Sequence, residues 1–188
     1  MKQKPGWVLP DLKEAQKRTT NTIDCIDTFT IPEAARMMGS GKKYFISTYG
    51  CQANERDSET LAGILDELGF TPNETAEGSD VIIINTCAIR QNAEEKVLGE
   101  IGNFKRLYRD NKDLVIGVCG CMAQEEGLVE TLLTKYPQVR LLFGTHNIQE
   151  LPSMLYSCMY EGKKVVKIYS KEGEVYENLP VHRFGTFK

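Results

Sequence analysis

The stretch Asp80-Val81-Ile82-Ile83-Ile84-Asn85 sets four consecutive apolar residues between two polar ones. A short run this continuously apolar is typical of a β-strand that is covered on both faces of its sheet. Residues 93–108 follow it, and there Val97, Ile101 and Phe104 recur at the spacing of one helical face. A covered strand followed by an amphipathic helix is the unit from which α/β folds are built.

The same strand-and-helix unit recurs on both sides of this stretch. Strands are predicted at 44–49, 114–118, 139–143 and 164–169, and helices at 55–68, after Met122 and after Asn147. Alternation of this kind predicts a mainly parallel sheet of about five strands with right-handed crossovers. We therefore expect a three-layer α/β fold of the flavodoxin or Rossmann type, with helices on both faces.

The regular pattern covers only part of the 188 residues. Residues 1–41 have a mixed polar composition without a sustained strand or long helix, and we interpret them as an N-terminal extension. Residues 42–170 carry the repeating pattern and are expected to form the α/β domain. The boundary falls after the glycine-bearing segment that ends at Gly41.

The net charge and the lengths of the apolar runs limit the classes of function that the chain can have. Lysine and arginine number 23 against 26 acidic residues, so the net charge of −3 gives no overall reason to expect strong phosphate binding. No apolar run approaches the ~18–20 residues that a membrane span needs, and no signal-type apolar stretch follows Met1. We expect a soluble, cytoplasmic protein without a membrane partner.

Three of the six cysteines occupy equivalent positions in the repeating pattern. Cys51, Cys87 and Cys121 each come within three residues of a predicted strand end, and 36 and 34 residues separate them. The carboxyl ends of parallel strands lie at one edge of a sheet, where open α/β folds bind ligands. We therefore expect the three sulfurs to converge there, within about 7 Å of one another, the span of a cysteine-held cubane.

Spacing alone leaves the role of these cysteines open. Three thiolates can hold a 4Fe–4S cluster and leave one iron free, whereas three cysteines plus His146 can hold a structural zinc. Buried structural cysteines are a third possibility. A flavodoxin-like nucleotide site at the same edge is a fourth, although no G-x-G-x-x-G follows a predicted strand.

The remaining cysteines fit a ligand role less well. Cys119 lies two residues before Cys121 at a strand end, where side-chain alternation turns it to the opposite face. Cys158 lies in the apolar helix predicted over 151–160, which favours a core position, and Cys25 lies in the extension. None of the three is included in the predicted site.

Three sequence motifs carry a resemblance to a known family. They are Tyr-Gly-Cys-Gln-Ala-Asn at 49–54, Asn-Thr-Cys-Ala-Ile-Arg-Gln-Asn-Ala-Glu at 85–94 and Gly-Cys-Met-Ala-Gln at 120–124. Together they resemble the signatures of the N-terminal domain of radical S-adenosylmethionine methylthiotransferases. Gly-Thr-His-Asn-Ile at 144–148 resembles the tRNA-modifying, MiaB-type branch, and so do Gln52 and Arg90, while Ala53 departs from the methionine that is usual there.

The resemblance, which runs from about residue 42 to the end, implies an auxiliary 4Fe–4S cluster on Cys51, Cys87 and Cys121. It implies a parent enzyme that adds a methylthio group to C2 of N6-isopentenyladenosine beside the tRNA anticodon, and a methylthiotransferase that acts on a different tRNA base or on a ribosomal protein is the alternative. Polar residues near the cysteines are possible hydrogen-bond partners of the cluster or substrate: Gln52, Asn54, Asn85, Arg90 and Asn147. Helix capping is the expected role of Asn54 and Asn147, and pairing with Glu94 is the alternative for Arg90.

The sequence lacks one segment that is characteristic of the family. The family carries a Cys-x-x-x-Cys-x-x-Cys segment for a second 4Fe–4S cluster that cleaves S-adenosylmethionine, and no three cysteines here have that spacing. We interpret residues 171–188 as a linker towards that radical domain and expect this chain alone to be inactive. The basic run at 105–109 is most often a solvated helix face, and contact with tRNA, otherwise expected through the missing RNA-binding domain, is the alternative.

Overall fold

The computed structural model describes residues 29–87, 91–124, 126–168 and 180–182, with backbone alone for 91–94, 124 and 126. Within these ranges strands and helices alternate along the chain. The elements are β1 (Lys43–Tyr49), α1 (Gln52–Glu67), β2 (Thr71–Pro72), β3 (Val81–Thr86), α2 (Gln91–Asp110), β4 (Val115–Cys119), α3 (Glu126–Lys135), β5 (Val139–Phe143), α4 (Leu151–Tyr160) and β6 (Val165–Lys167). Short 3-10 turns occupy Glu33–Ala35, Cys121–Gln124 and Thr145–Glu150.

All six strands of the described sheet are parallel, in the order β2-β1-β3-β4-β5-β6. The predicted parallel α/β class is confirmed. The additional strand is β2, whose two residues pair with Lys43 and Tyr44 at the edge and include a proline, so no apolar run marks it in the sequence. Strand order reverses between β1 and β3, and a sheet of this order has its ligand crevice outside the carboxyl ends of those two strands.

Helices cover both faces of the sheet. On one face α1 and α4 pack over the strands, and Leu65 and Ile83 belong to the core there. On the other face α2 and α3 do the same, and Ile84 and Ile101 belong to that second core. Adjacent residues of β3 thus enter opposite cores, which explains its unbroken apolar run. Each such side chain contributes about 1.5–3 kcal/mol by its burial.

Short parts of both flanking segments pack against the domain. Ala35 and Met38 are buried in the core beneath α1 and α4. At the other end of the chain, the backbone of Pro180 lies against α1, where a Cβ on Gly63 would come within 2.5 Å of it. The N–H of His182 donates to the Glu59 carbonyl at 2.8 Å, so this segment is held along the helix.

No helix in the described part of the chain is long and apolar enough to cross a membrane.

Candidate metal centre

Cys51 lies at the N-terminus of α1, where it is the N-cap residue with an extended backbone. The backbone N–H groups of Asn54 and Ala53 donate to its sulfur and lower the pKa of the thiol. In return the Asn54 side chain accepts the Cys51 backbone N–H at 3.2 Å, which completes a capping box. Asn54 therefore has the predicted capping role, and the helix start favours an exposed thiolate at Cys51.

A buried hydrogen-bond network lies beneath Cys51. The Asn54 amide donates to Asn85 Oδ1 at 3.1 Å, and the Asn85 amide donates to the Asn54 carbonyl at 2.8 Å and to Ser58 Oγ at 2.9 Å. Ser58 in turn shares a 2.7 Å hydrogen bond with Thr48 of β1. Because buried polar groups are costly unless they are paired, this network fixes the positions of β1, α1 and β3 relative to one another.

Two glycines allow the cysteine loops to approach this network. A Cβ on Gly50 would lie 2.2 Å from Asn54 Oδ1, so only glycine fits in front of Cys51. Gly120 has a φ of +97°, and a Cβ there would lie 2.1 Å from the Thr86 carbonyl oxygen. Only glycine tolerates a positive φ together with so close an approach to another backbone. The loop that carries Cys121 therefore rests directly on the end of β3.

Cys87 comes directly after β3 and is buried, with its N–H donating to the Tyr49 carbonyl at 2.9 Å. After the two backbone donors, a side-chain hydrogen bond with Cys87 is a further influence that lowers the pKa of Cys51. Cys121 is exposed, and its pKa is raised by partial burial first and then by the charges of Cys87, Asp57 and Cys51. The three cysteines thus lie at the carboxyl edge of the sheet, near enough for their charges and hydrogen bonds to affect one another.

The other cysteines of the described part have side chains that are buried in the core. Cys119 is buried in the core shared with α1 and α4, and burial raises its pKa well above the ordinary value. Cys158 is fully buried on α4, its S–H directed at the Arg140 carbonyl at 3.5 Å, and burial raises its pKa to about 11. Neither is oriented as a fourth ligand. Cys25 lies outside the described residues.

The remaining predicted site residues divide into three groups. Gln52 is exposed in the first turn of α1, next to Cys51. Asn85 is fully buried, and its side chain is engaged in the network beneath the site. The cap expected at Asn147 is not formed, because its side chain instead donates to Glu150 at 3.0 Å within the turn before α4. Arg90 lies outside the described residues.

Asp57 is a site neighbour that the sequence reasoning missed. It lies partly buried on α1, and burial raises its pKa while His146 opposes that rise. Its charge also raises the pKa of Cys121, which places it beside the cysteine edge. The available signal was its position three residues after Asn54, on the same side of the helix. The sequence predicts that this helix begins at residue 55, whereas it begins at Gln52. The prediction therefore does not place Asn54 and Asp57 on the same helix.

The donor set is compared with two metal groups. Zinc needs its ligand atoms within about 2.0–2.3 Å of one point, and no three His, Cys, Asp or Glu residues of the described part are arranged to hold a metal ion. This finding supports neither the zinc site expected from Cys51, Cys87, Cys121 and His146 nor a preformed cluster site. A 4Fe–4S cluster takes each thiolate on a different iron, so three cysteines at one edge are of the type that its chemistry needs.

Comparison with known proteins defines the class of this chain. Residues 43–144, which include all three cysteines, match the family described as Uncharacterized protein family UPF0004. This match covers more than half of the chain, and the chain belongs to that family.

Individual relatives extend the match. The chain is 50% identical over 182 residues to a tRNA-2-methylthio-N(6)-dimethylallyladenosine synthase of Bacillus licheniformis, which covers 97% of this chain and 36% of that protein. It is 51% identical over 179 residues to the protein of the same name from Geobacillus thermodenitrificans, covering 95% of this chain and 34% of that one. The motif resemblance is confirmed, and the chain spans about a third of the length of these relatives.

Proposed function

We propose that this chain is the cluster-binding part of a tRNA methylthiotransferase, with Cys51, Cys87 and Cys121 holding a 4Fe–4S cluster. The larger enzyme would add a methylthio group to C2 of N6-isopentenyladenosine next to the anticodon. The observation that supports the proposal is the position of three cysteines, from three successive strand-and-helix units, at one edge of the sheet. The names of the relatives supply the reaction and the RNA.

The residues around the thiols suit the binding of an anionic group. The N–H groups of Ala53 and Asn54 at the start of α1 stabilise negative charge on the Cys51 sulfur. The Asn54–Asn85 hydrogen bonds hold α1 against β3, so Cys51 and Cys87 keep a fixed spacing. When bound, a cluster with three protein ligands supplies an iron with an open coordination position, where a sulfur species can bind.

Other steps of the reaction need residues that this sequence does not carry. Cleavage of S-adenosylmethionine requires the second 4Fe–4S cluster, whose Cys-x-x-x-Cys-x-x-Cys signature is absent here. We therefore assign this chain the sulfur side of the reaction and assign radical formation to another part of the larger enzyme. As a tRNA-modifying enzyme it would act in the cytoplasm.

Anaerobic reconstitution with iron and sulfide tests the proposal. The unmodified chain should retain about four irons and four sulfides, the content of one cubane, together with visible charge-transfer absorbance. Replacing Cys51, Cys87 or Cys121 singly by alanine should abolish or sharply reduce that content. Cys158→Ala is the matched control, because Cys158 is a buried core residue, and Cys25→Ala is a second one. Equal retention by all these variants would overturn the proposal.

A further inference from the structure

A groove of about 380 Å³ lies between the C-terminal half of α2 and the segment before β5. We call it the basic groove, and its lining consists of Lys105, Arg106, Tyr108, Arg109, Lys112, Pro137 and Gln138. Four of these seven residues are cationic and none is acidic, in a chain whose net charge is −3. Positive charge is thus concentrated here against the overall balance of the chain.

The cations of the basic groove are available to a ligand. Arg106 and Arg109 have exposed side chains, and their ion pairs with Glu77 at 3.5 Å and Asp110 at 3.3 Å lie at the surface. Exposed pairs of this kind contribute about 0–1 kcal/mol, so a phosphate can replace them. Lys112 lies over the Tyr108 ring, with Nζ 4.6 Å from its centroid, which holds that ammonium at the groove.

Gln138 joins the two sides of the basic groove. Its side chain is 2% exposed and donates through Nε2 to the Ile101 carbonyl at 3.1 Å. This buried hydrogen bond ties the segment before β5 to α2, so the two sides of the groove keep their relative position.

We propose that the basic groove binds the sugar–phosphate backbone of a folded RNA, an inference that rests on the proposed function. Lys105 and Arg109 lie about one turn apart on α2, about 6 Å along its axis, and Lys112 follows in the turn after the helix, so the three cations meet different phosphates.

The position of the groove selects a large ligand. Helix α2 begins four residues after Cys87 and is 20 residues long, which corresponds to about 30 Å. Three of the cations lie in its last third, roughly 20–30 Å from the helix end nearest the cysteines, and Lys112 follows just after the helix. A single nucleotide at the cysteine edge does not reach them. A folded RNA that presents one base to that edge spans this distance with its backbone.

Salt-dependent binding of tRNA to the 188-residue chain tests the groove. The variant Lys105→Gln/Arg109→Gln removes two groove cations, and Lys163→Gln/Lys164→Gln is the control with the same net charge at the exposed segment before β6. The slope of log affinity against log salt should fall by about 2 in the groove variant, one for each phosphate contact. The control should keep the slope of the unmodified chain. Equal slopes in both variants would overturn the proposal.

Two further experiments distinguish this proposal from the proposed function on which it rests. A short single-stranded RNA should bind the unmodified chain more weakly than the tRNA, because it does not present a folded backbone across this distance, and equal affinity would overturn the choice of a folded RNA. The groove variant should retain iron and sulfide like the unmodified chain, because both cations lie far from the cysteines. Failure of the unmodified chain to retain a cluster would sink the proposed function and leave the RNA result intact.

Discussion

Asn54 and Asn85 hydrogen-bond to each other in both directions, from the Asn54 amide to Asn85 Oδ1 at 3.1 Å and from the Asn85 amide to the Asn54 carbonyl at 2.8 Å. The first residue belongs to the helix that Cys51 caps, and the second to the strand that Cys87 follows. This reciprocal pair therefore sets the spacing between two of the three proposed ligands.

Asn85→Leu should lower the free energy of unfolding by about 2 kcal/mol or more, because it leaves the buried Asn54 amide without its acceptor and removes the Asn85 donor to the Asn54 carbonyl and to Ser58. Urea denaturation measures the loss. Asn103→Leu, at an exposed position on α2, is the control and should change stability by no more than about 0.5 kcal/mol. Similar values for both variants would mean that the network does not stabilise the domain.

Gly120→Ala should cost about 1–3 kcal/mol, because its φ of +97° is unfavourable for alanine and the new Cβ would meet the Thr86 carbonyl oxygen. Iron retention should fall as well, since Cys121 would shift with its loop. Gly102→Ala on α2 has open space around it and should gain about 0.5–1 kcal/mol. Thermal unfolding of the two variants gives the comparison, and equal shifts would contradict it.

Gly63→Ala should release the segment at Pro180–His182 from α1, because the methyl group would occupy the space of the Pro180 backbone. The His182 N–H, which donates to the Glu59 carbonyl, should then exchange faster with solvent. Hydrogen exchange followed by mass spectrometry measures this. Gly99→Ala, which meets nothing within 4 Å, should leave the rate unchanged. Unchanged exchange in both variants would show that the segment is not held there.

The chain by itself should form no methylthiolated nucleoside and no 5′-deoxyadenosine. The reason is that the cysteine signature for cleavage of S-adenosylmethionine is absent from its sequence. The reconstituted chain is incubated with S-adenosylmethionine, a strong reductant and isopentenylated tRNA, and both products are assayed by mass spectrometry. Turnover of either would require a radical site within these residues.

Most of the fold could be predicted from the sequence because its central strand is an unbroken apolar run and strand and helix patterns alternate around it. Ile83 and Ile84 enter opposite cores. An apolar residue at every position of this strand therefore shows in the sequence that both faces of the sheet are covered. The edge strand Thr71–Pro72 could not be predicted, since two residues carry no periodicity and its pairing depends on the neighbouring strand.

The site could be predicted only in part. Nearly equal spacing of Cys51, Cys87 and Cys121 over a parallel sheet predicts the shared edge. The Asn54–Asn85 pair depends on side-chain conformations that spacing does not specify. Burial of Asp57 depends on the packing of its helix in the same way.

The central claim is that one 4Fe–4S cluster is held by Cys51, Cys87 and Cys121 at the carboxyl edge of the sheet. A crystal structure of the anaerobically reconstituted chain tests it most directly. We predict one cubane with the three sulfurs on three different irons, within about 7 Å of one another, and no protein ligand on the fourth iron. A single metal ion shared by these cysteines and His146, or any of the three cysteines at the opposite end of the sheet, would contradict the claim.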